Sequence, residues 1–162
     1  MDCMEKLYEE LKNNNSRMGG QIIGGLVIEI LLGYVPMMYP VGFLLRGDHD
    51  AAVFMGISVC MLMVSLFLYL RAYTVIEENG EVFSIAEKLR YIPVSIKVIK
   101  NYLQKYLKLY CLRVFVIGAV IQFIGNWIAK TGVVIGVLYA ALVAAVLWGM
   151  GYYSIIKIIK IH

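Results

Sequence analysis

Four long runs of apolar residues dominate the chain, and short polar segments separate them. The runs cover 21–45, 51–70, 111–129 and 133–156. At a rise of 1.5 Å per residue, even the shortest run would form a helix roughly 28 Å long, close to the hydrocarbon thickness of about 30 Å. The pattern therefore predicts an all-α, polytopic membrane protein, a four-transmembrane-helix bundle that forms a single membrane domain over 1–162.

Composition supports this prediction. Of the 162 residues, 61% are hydrophobic and 16% are charged, whereas soluble domains are roughly half apolar and about a quarter charged. The mean hydropathy is +0.77. A soluble domain of this size has too high a surface-to-volume ratio to bury so many apolar side chains. We therefore expect a lipid bilayer as the surrounding medium and do not expect nucleic acid as a partner.

The positive charges predict the orientation. Thirteen of the fifteen Lys and Arg residues lie on one side of the predicted spans, and only Arg46 and Lys130 lie on the other. By the positive-inside rule, both termini and the loop over 71–110 are expected in the cytoplasm, and we expect a bacterial cytoplasmic membrane. Residues 1–19 are mostly polar and show no cleavage site, so we expect the first helix to stay in the membrane.

Glycine, alanine and proline residues predict where helices meet and where they bend. Small residues recur at intervals of four in the first and fourth spans, at Gly20, Gly24, Gly132, Gly136, Ala140 and Ala144. They allow close approach of helices, either within the bundle or in a homo- or hetero-oligomer. Pro36 and Pro40 each remove a backbone donor, so the outer half of the first span is expected to kink or break. A moving or re-entrant element is the alternative.

Four polar residues fall inside the apolar runs: Glu29, Arg113, Gln122 and Asn126. A carboxylate about 12 Å into the membrane is costly unless it is paired, hydrated or protonated. One interpretation is structural, with a Glu–Arg pair and amide clamps between helices. The other is a groove that contacts a substrate or an ion. The sequence contains no HExxH, CxxC, GxSxG or phosphate-loop pattern, so we expect no metal site, no cofactor and no enzymatic activity.

The predicted cytoplasmic loop carries amphipathic helices. Residues 77–80 form a turn signal, and Ser84-x-x-Glu87 is a capping box that predicts a helix from Ser84 until Pro93 ends it. A second helix is expected to begin near 94–95 and to merge into the third span. Its apolar positions keep helical spacing while lysines occupy much of the remainder, which is typical of a helix near anionic headgroups.

The same loop resembles a segment of a known family. The candidate partner-coupling residues are Ser84, Glu87, Lys88, Leu89, Arg90, Tyr91, Ile92, Pro93, Val94 and Ser95. This run is similar to the L-x-x-[LI]-P-[VI]-S coupling helix that follows the second span in type-2 ABC exporter permeases. Residues 1–11, with apolar side chains on one face, are similar to the amphipathic helix that precedes the first span of that family. The family normally has six spans, whereas this sequence has four.

The resemblance implies a function. It indicates a membrane subunit that docks on a separate ATP-binding cassette subunit, receives its motion through the loop, and exports cargo such as an amphipathic peptide, an antibiotic or a lipid. The sequence has no Walker motif, so hydrolysis would occur in the partner. The alternative is a small four-helix membrane protein for immunity, regulation or assembly, which uses the basic loop for lipid or protein contact and has no transport activity of its own.

Overall fold

A computed structural model describes residues 16–78, 81–84 and 96–160 of the chain. The first helix, α1 (Ser16–Val27), continues directly into a π-helix (Ile28–Tyr34) and a short α-helical turn (Val35–Met37). A 3₁₀-helix (Val41–Arg46) and three further helices and two strands follow: α2 (His49–Thr74), β1 (Val75–Glu78), β2 (Glu81–Ser84), α3 (Ile96–Ile128) and α4 (Val133–Lys160).

The prediction of four membrane-spanning helices is confirmed. Four helical segments are long and apolar enough to cross a membrane: Gly19–Met37, His49–Thr74, Lys97–Ile128 and Val133–Lys157. Large apolar side chains are exposed along their outer surfaces, for example Ile128 at 76% and Val134 at 71%. Exposed apolar surface on this scale is typical of a face that contacts lipid. The amphipathic helix predicted before the third span is continuous with it, because α3 begins at Ile96.

The first span ends earlier than the predicted limit at residue 45. Pro36 cannot donate a hydrogen bond one turn back, and the widened π-helical turn lies immediately before it. The carbonyl oxygen of Gly33 in this turn accepts a hydrogen bond from Ser58 Oγ on α2 at 2.7 Å. The helix ends at Met37, and Pro40 has extended backbone angles. The expected break is therefore present, and the chain re-forms as the 3₁₀-helix.

A β-hairpin follows α2, which the sequence analysis did not predict. Strands β1 and β2 pair antiparallel, with Val75 opposite Ser84 and Glu78 opposite Glu81. The chain thus reverses between Glu78 and Glu81, at the predicted turn signal. The predicted helix that begins at Ser84 and ends at Pro93 lies outside the described residues from residue 85 onward, as does the predicted amphipathic segment 1–11.

The four helices pack as two pairs. α1 with its π-helical extension lies along α2, and α3 lies along α4, whereas α2 and α3 touch at few positions. Side chains from one helix occupy the space above glycines of another: Leu107 of α3 contacts Gly151 of α4, and Met37 contacts Gly118 of α3. Successive helices run in opposite directions, so the start of α1, the hairpin, the start of α3 and the end of α4 share one end of the bundle, hereafter the basic end.

The opposite end is closed by short turns. Asp48 caps α2 by accepting a hydrogen bond from the Asp50 backbone N–H at 3.0 Å, and the Tyr39 hydroxyl donates to its second carboxylate oxygen at 2.7 Å. The Tyr39 hydrogen bond lowers the pKa of Asp48 below its ordinary value and raises that of Tyr39. Arg46 donates to the Lys130 carbonyl oxygen at 3.3 Å, which ties the 3₁₀-helix to the α3–α4 turn.

Candidate functional site

Glu29 and Arg113 form an ion pair between the first and third spans. Arg113 Nε donates to Glu29 Oε1 at 3.1 Å, and Arg113 Nη2 donates to Oε2 at 2.6 Å. The Glu29 side chain is 3% exposed, whereas that of Arg113 is 43% exposed. A bidentate pair of this kind provides the charge compensation that a carboxylate needs in an apolar zone.

The π-helix brings a second donor to the carboxylate. Tyr34 Oη donates to Glu29 Oε1 at 2.8 Å, and both residues belong to the π-helical segment. In a regular α-helix, residues five apart differ by about 140° around the axis, so their side chains would diverge. The wider π-helical turn brings positions five apart closer together on one face, and here it positions Tyr34 beside Glu29.

Two aromatic rings hold the guanidinium group. The Arg113 Cζ atom lies 5.3 Å from the ring centre of Tyr69 on α2 and 5.4 Å from that of Tyr110 on α3. These distances are typical of cation–π contacts. Tyr110 Oη donates to the Leu62 carbonyl oxygen at 2.8 Å, which fixes its ring between the two helices. The cation is thus oriented by a carboxylate on one side and by tyrosine rings on the other.

A groove opens beside the Glu29–Arg113 ion pair, where α2 and α3 separate. Its volume is about 320 Å³, and it is lined by Leu66, Tyr69, Leu70, Tyr73, Tyr106, Leu107, Leu109, Tyr110 and Arg113. We call it the tyrosine groove. The rings of Tyr73 and Tyr106 stack across it with their centres 4.3 Å apart. The groove reaches the surface at Leu109, which is 54% exposed.

Two buried hydroxyl groups lie on the α2 side of this region. Ser65 Oγ and Tyr69 Oη are completely buried and make no hydrogen bond of good geometry with the described residues, although Ser65 lies near the Tyr110 hydroxyl and Tyr69 Oη lies near Arg113 and Glu29. Buried hydroxyl groups in proteins are almost always hydrogen-bonded, and each one left without a partner is costly. Tyr69 is the more informative of the two because its ring also lines the tyrosine groove.

The other two predicted polar residues lie near the opposite end and bind the broken part of the first span. Gln122 Oε1 accepts from the Val41 backbone N–H at 3.0 Å, and Asn126 Oδ1 accepts from the Gly42 backbone N–H at 2.9 Å. Gln122 Nε2 donates to the carbonyl oxygens of Met37 at 2.6 Å and Tyr39 at 3.0 Å. These bonds satisfy the backbone groups that the end of the helix leaves unpaired.

The two amides are also joined to each other. Asn126 Nδ2 donates to Gln122 Oε1 at 2.8 Å, and Thr131 Oγ1 donates to Asn126 Oδ1 at 2.8 Å. Both amide side chains are almost completely buried, at 1% for Gln122 and 0% for Asn126. This arrangement, hereafter the amide clamp, corresponds to the structural interpretation of the two residues, because their polar atoms are used in holding backbone groups.

The predicted small-residue stripes differ in what they contact. Gly136 and the buried Ala140 of α4 pack against α3, while Ala144 is partly buried farther along the same helix. Gly132 has a φ of +98° and serves the α3–α4 turn rather than a helix contact. A methyl group added at Gly20 or Gly24 would meet no other described atom within 4 Å. Only the Gly136–Ala140 part of the stripes is therefore a tight contact within the described chain.

Replacing Gly136 with alanine is expected to destabilise the protein by about 1 to 3 kcal/mol. The new Cβ would lie 2.6 Å from Asn126 Nδ2 and 3.0 Å from the Gln122 carbonyl oxygen, so the amide clamp would have to shift. Gly56→Ala is the matched control, since its Cβ would meet nothing within 4 Å, and it should change stability by less than about 0.5 kcal/mol. SDS titration of the refolded protein measures both; equal effects would contradict the close contact at Gly136.

The predicted partner-coupling segment lies mostly outside the described residues. Ser84 ends β2, and residues 85–95 are not described. The neighbouring part of α3 carries Lys97, Lys100, Lys105 and Lys108, and Lys100 Nζ lies 5.8 Å from the ring centre of Tyr152 on α4. A shallow depression on α3 is lined by Asn101, Gln104, Lys105, Lys108 and Leu109. The described part of the basic end thus presents lysines next to the tyrosine groove.

Sequence reasoning identified the ion pair and the amides but missed the tyrosines around them. Tyr69 and Tyr73 on α2, and Tyr106 and Tyr110 on α3, are each four residues apart, so each pair shares one helix face. That spacing could have indicated two facing tyrosine rows. Within the ranges that the structure covers, no group of three or more His, Cys, Asp or Glu side chains is placed to hold a metal ion.

Comparisons with protein-family models, with curated proteins and with solved structures each find no match for this chain.

Proposed function

We propose that this chain is the membrane-spanning subunit of an ABC-type exporter and couples to a separate ATPase through residues 84–95. The observation that carries the proposal is the continuity of α3. This helix of 33 residues runs without interruption from the end of the coupling-like loop to the opposite end of the bundle. Its length of about 50 Å exceeds the hydrocarbon thickness of about 30 Å, so it would extend out of the membrane toward a partner.

The packing supports a coupled motion. α3 and α4 are held tightly together, whereas α2 and α3 are separated by the tyrosine groove. A displacement at the start of α3 would therefore move the α3–α4 pair relative to the α1–α2 pair. The Glu29–Arg113 pair and the amide clamp link α3 to the first span at two depths, so the two pairs would pivot about these contacts. Relative motion of two rigid halves is what transport by alternating access requires.

The orientation follows from charge. Thirteen of the fifteen Lys and Arg residues lie in sequence on the side of the predicted spans that includes the start of α3 and the end of α4, so the basic end would face the cytoplasm, where an ATPase would be found. Both termini and the loop would be on that side, in a bacterial cytoplasmic membrane. The chain itself would hydrolyse no nucleotide.

One observation favours the alternative, a four-helix membrane protein for immunity, regulation or assembly. The two amides bind backbone groups instead of lining a polar path, and the tyrosine groove opens at the exposed Leu109 rather than continuing to the amide clamp. A single copy would therefore need an oligomer or a large rearrangement to transport cargo. In this alternative the basic end would contact lipid or another protein.

The test is copurification of the full-length protein after cross-linking in its native membrane. We expect an ATP-hydrolysing subunit with nucleotide-binding motifs to be recovered in stoichiometric amount. Spin labels on α2 and α3 should report an ATP-dependent change in distance. Arg90→Glu combined with Pro93→Ala should abolish this change while hydrolysis continues, because the coupling segment would no longer transmit it.

Lys130→Glu is the charge control, since Lys130 lies at the opposite end, and it should behave as the unmodified protein. Failure to recover an ATPase would contradict the proposal. So would an unchanged distance response after replacement of 84–95 by a Gly/Ser linker. Binding to anionic liposomes without any ATPase would favour the alternative.

A further inference from the structure

We propose that the tyrosine groove binds the phosphate headgroup of an anionic phospholipid from the adjacent leaflet, with Arg113 as the principal phosphate ligand. The juxtaposition behind this inference is a half-exposed guanidinium group held at the wall of a lipid-side groove, between tyrosine rings and near the exposed Lys108. The inference is independent of the exporter proposal, because it concerns the occupant of the groove and not the motion of the helices.

Arg113 retains unused hydrogen-bond donors. A guanidinium group has five N–H donors, and the pair with Glu29 uses one on Nε and one on Nη2. The Tyr69 hydroxyl lies within interaction distance of the guanidinium group, while 43% of the Arg113 side chain is exposed, so that its outward-facing N–H donors are not covered by the described residues. At membrane depth few water molecules are available, so these donors need another acceptor. Phosphate oxygens match the planar geometry of arginine and form charge-assisted hydrogen bonds with it.

The direction of Arg113 favours a headgroup over a ligand from the membrane centre. Helical Cα–Cβ bonds tilt toward the N-terminus of the helix, and the N-terminus of α3 is at the basic end. The guanidinium group accordingly lies beside Tyr110, which precedes it by nearly one turn, at 5.4 Å from the ring centre. Arg113 thus points toward the level at which lipid phosphates are expected.

The charges around the groove select an anion. Leu109 lines both the tyrosine groove and the neighbouring depression that contains Lys105 and Lys108. The nearby acidic group, Glu29, is 3% exposed and already bound by Arg113 and Tyr34. Among the described residues that line the groove and the depression, the exposed Lys108 adds a positive charge beside the ion pair, which complements an anionic headgroup and not a zwitterionic one.

The remaining wall fits the glycerol and the first methylene groups of a lipid. Tyrosine rings and leucines provide apolar contact. Tyrosine is common at this level of a membrane because one end of its ring is apolar and the other is polar. A volume of about 320 Å³ accommodates a headgroup and the start of its chains, with the acyl tails left in the bilayer along α3.

The test measures retention of phosphatidylglycerol by the full-length protein. The protein is purified from phosphatidylcholine nanodiscs with graded amounts of phosphatidylglycerol, and native mass spectrometry counts the retained lipid after transfer to a neutral detergent. Leu109→Trp should fill the mouth of the groove and lower retention about tenfold, the ratio expected from loss of about one charge-assisted hydrogen bond. Arg113→Lys should lower it severalfold, since lysine keeps the charge but loses the planar donors.

Leu112→Trp is the matched control. Leu112 is 59% exposed on the same helix and does not line the groove, so retention should be unchanged. Thermal unfolding checks that each variant remains folded. If Arg113→Lys does not fold, Leu109→Trp still tests the proposal, because it leaves the Glu29–Arg113 ion pair intact. Equal retention by the two tryptophan variants would overturn the proposal, as would equal retention of phosphatidylcholine. Displacement of the lipid by millimolar glycerol phosphate would indicate a soluble phosphate ligand and would overturn the assignment to a lipid.

Discussion

Replacing Arg113 with alanine is expected to lower the free energy of unfolding by about 3 to 5 kcal/mol. This range is typical when one partner of a buried ion pair is removed and the other stays buried. The loss arises at Glu29, which is 3% exposed and would keep neutral tyrosine hydroxyls, Tyr34 above all, in place of the cation. An unpaired carboxylate in an apolar zone either stays charged at high cost or takes up a proton. SDS titration of the purified protein in detergent measures the change.

Replacing the other partner, Glu29, should lower the free energy of unfolding less. Glu29→Ala leaves Arg113 without its partner, but the guanidinium group is already 43% exposed and can reach toward the headgroups. The double variant Glu29→Gln with Arg113→Gln should recover part of the loss of Arg113→Ala, because no charge is left buried. Equal effects of the two alanine variants, or strict additivity in the double-mutant cycle, would contradict this account of the pair.

Replacing Asn126 with leucine is expected to cost about 3 to 5 kcal/mol, since at least two buried polar groups lose their partners at about 1 to 3 kcal/mol each. The Gly42 backbone N–H would lose its acceptor, and Thr131 Oγ1 would lose its bond to Asn126 Oδ1. The bulkier side chain would also press on Gly136, where there is no spare room. Gln122→Leu should have an effect of similar size through Val41, Met37 and Tyr39.

Asn101→Leu provides the control for this prediction. Asn101 is on the same helix but exposed, so the same chemical change should alter stability by less than about 0.5 kcal/mol. Hydrogen exchange at the Val41 and Gly42 amides gives a local measurement, and both should exchange faster in the Asn126 variant. Unchanged exchange at Gly42 would show that the amide clamp does not protect the 3₁₀-helix.

The apolar pattern was sufficient to predict the four helices, because a span needs about twenty apolar residues whatever its neighbours are. The cost of a buried charge made it possible to pair Glu29 with Arg113, and the structure brings these residues together. Local rules also anticipated the break caused by Pro36 and the continuity of α3 with the helix before it.

Other features depend on contacts between distant positions. In the π-helix the Gly33 carbonyl oxygen accepts from Ser58 of α2, and the backbone after the first span is bound by two amides some eighty residues away. The tyrosine groove exists because α2 and α3 separate, which no local periodicity predicts. The β-hairpin was missed because the glutamates in Val75–Glu78 and Glu81–Ser84 suggested a solvated turn alone.

The amide clamp also sets an order of events during biosynthesis. The backbone groups of 37–42 emerge from the ribosome long before Gln122 and Asn126, which at about 5 to 20 residues per second corresponds to a delay of several seconds. During that interval the backbone groups of 37–42 lack their amide partners, so we expect them to stay near water, the insertion machinery or a chaperone. The first span can therefore reach its final depth only after the third helix has entered the membrane.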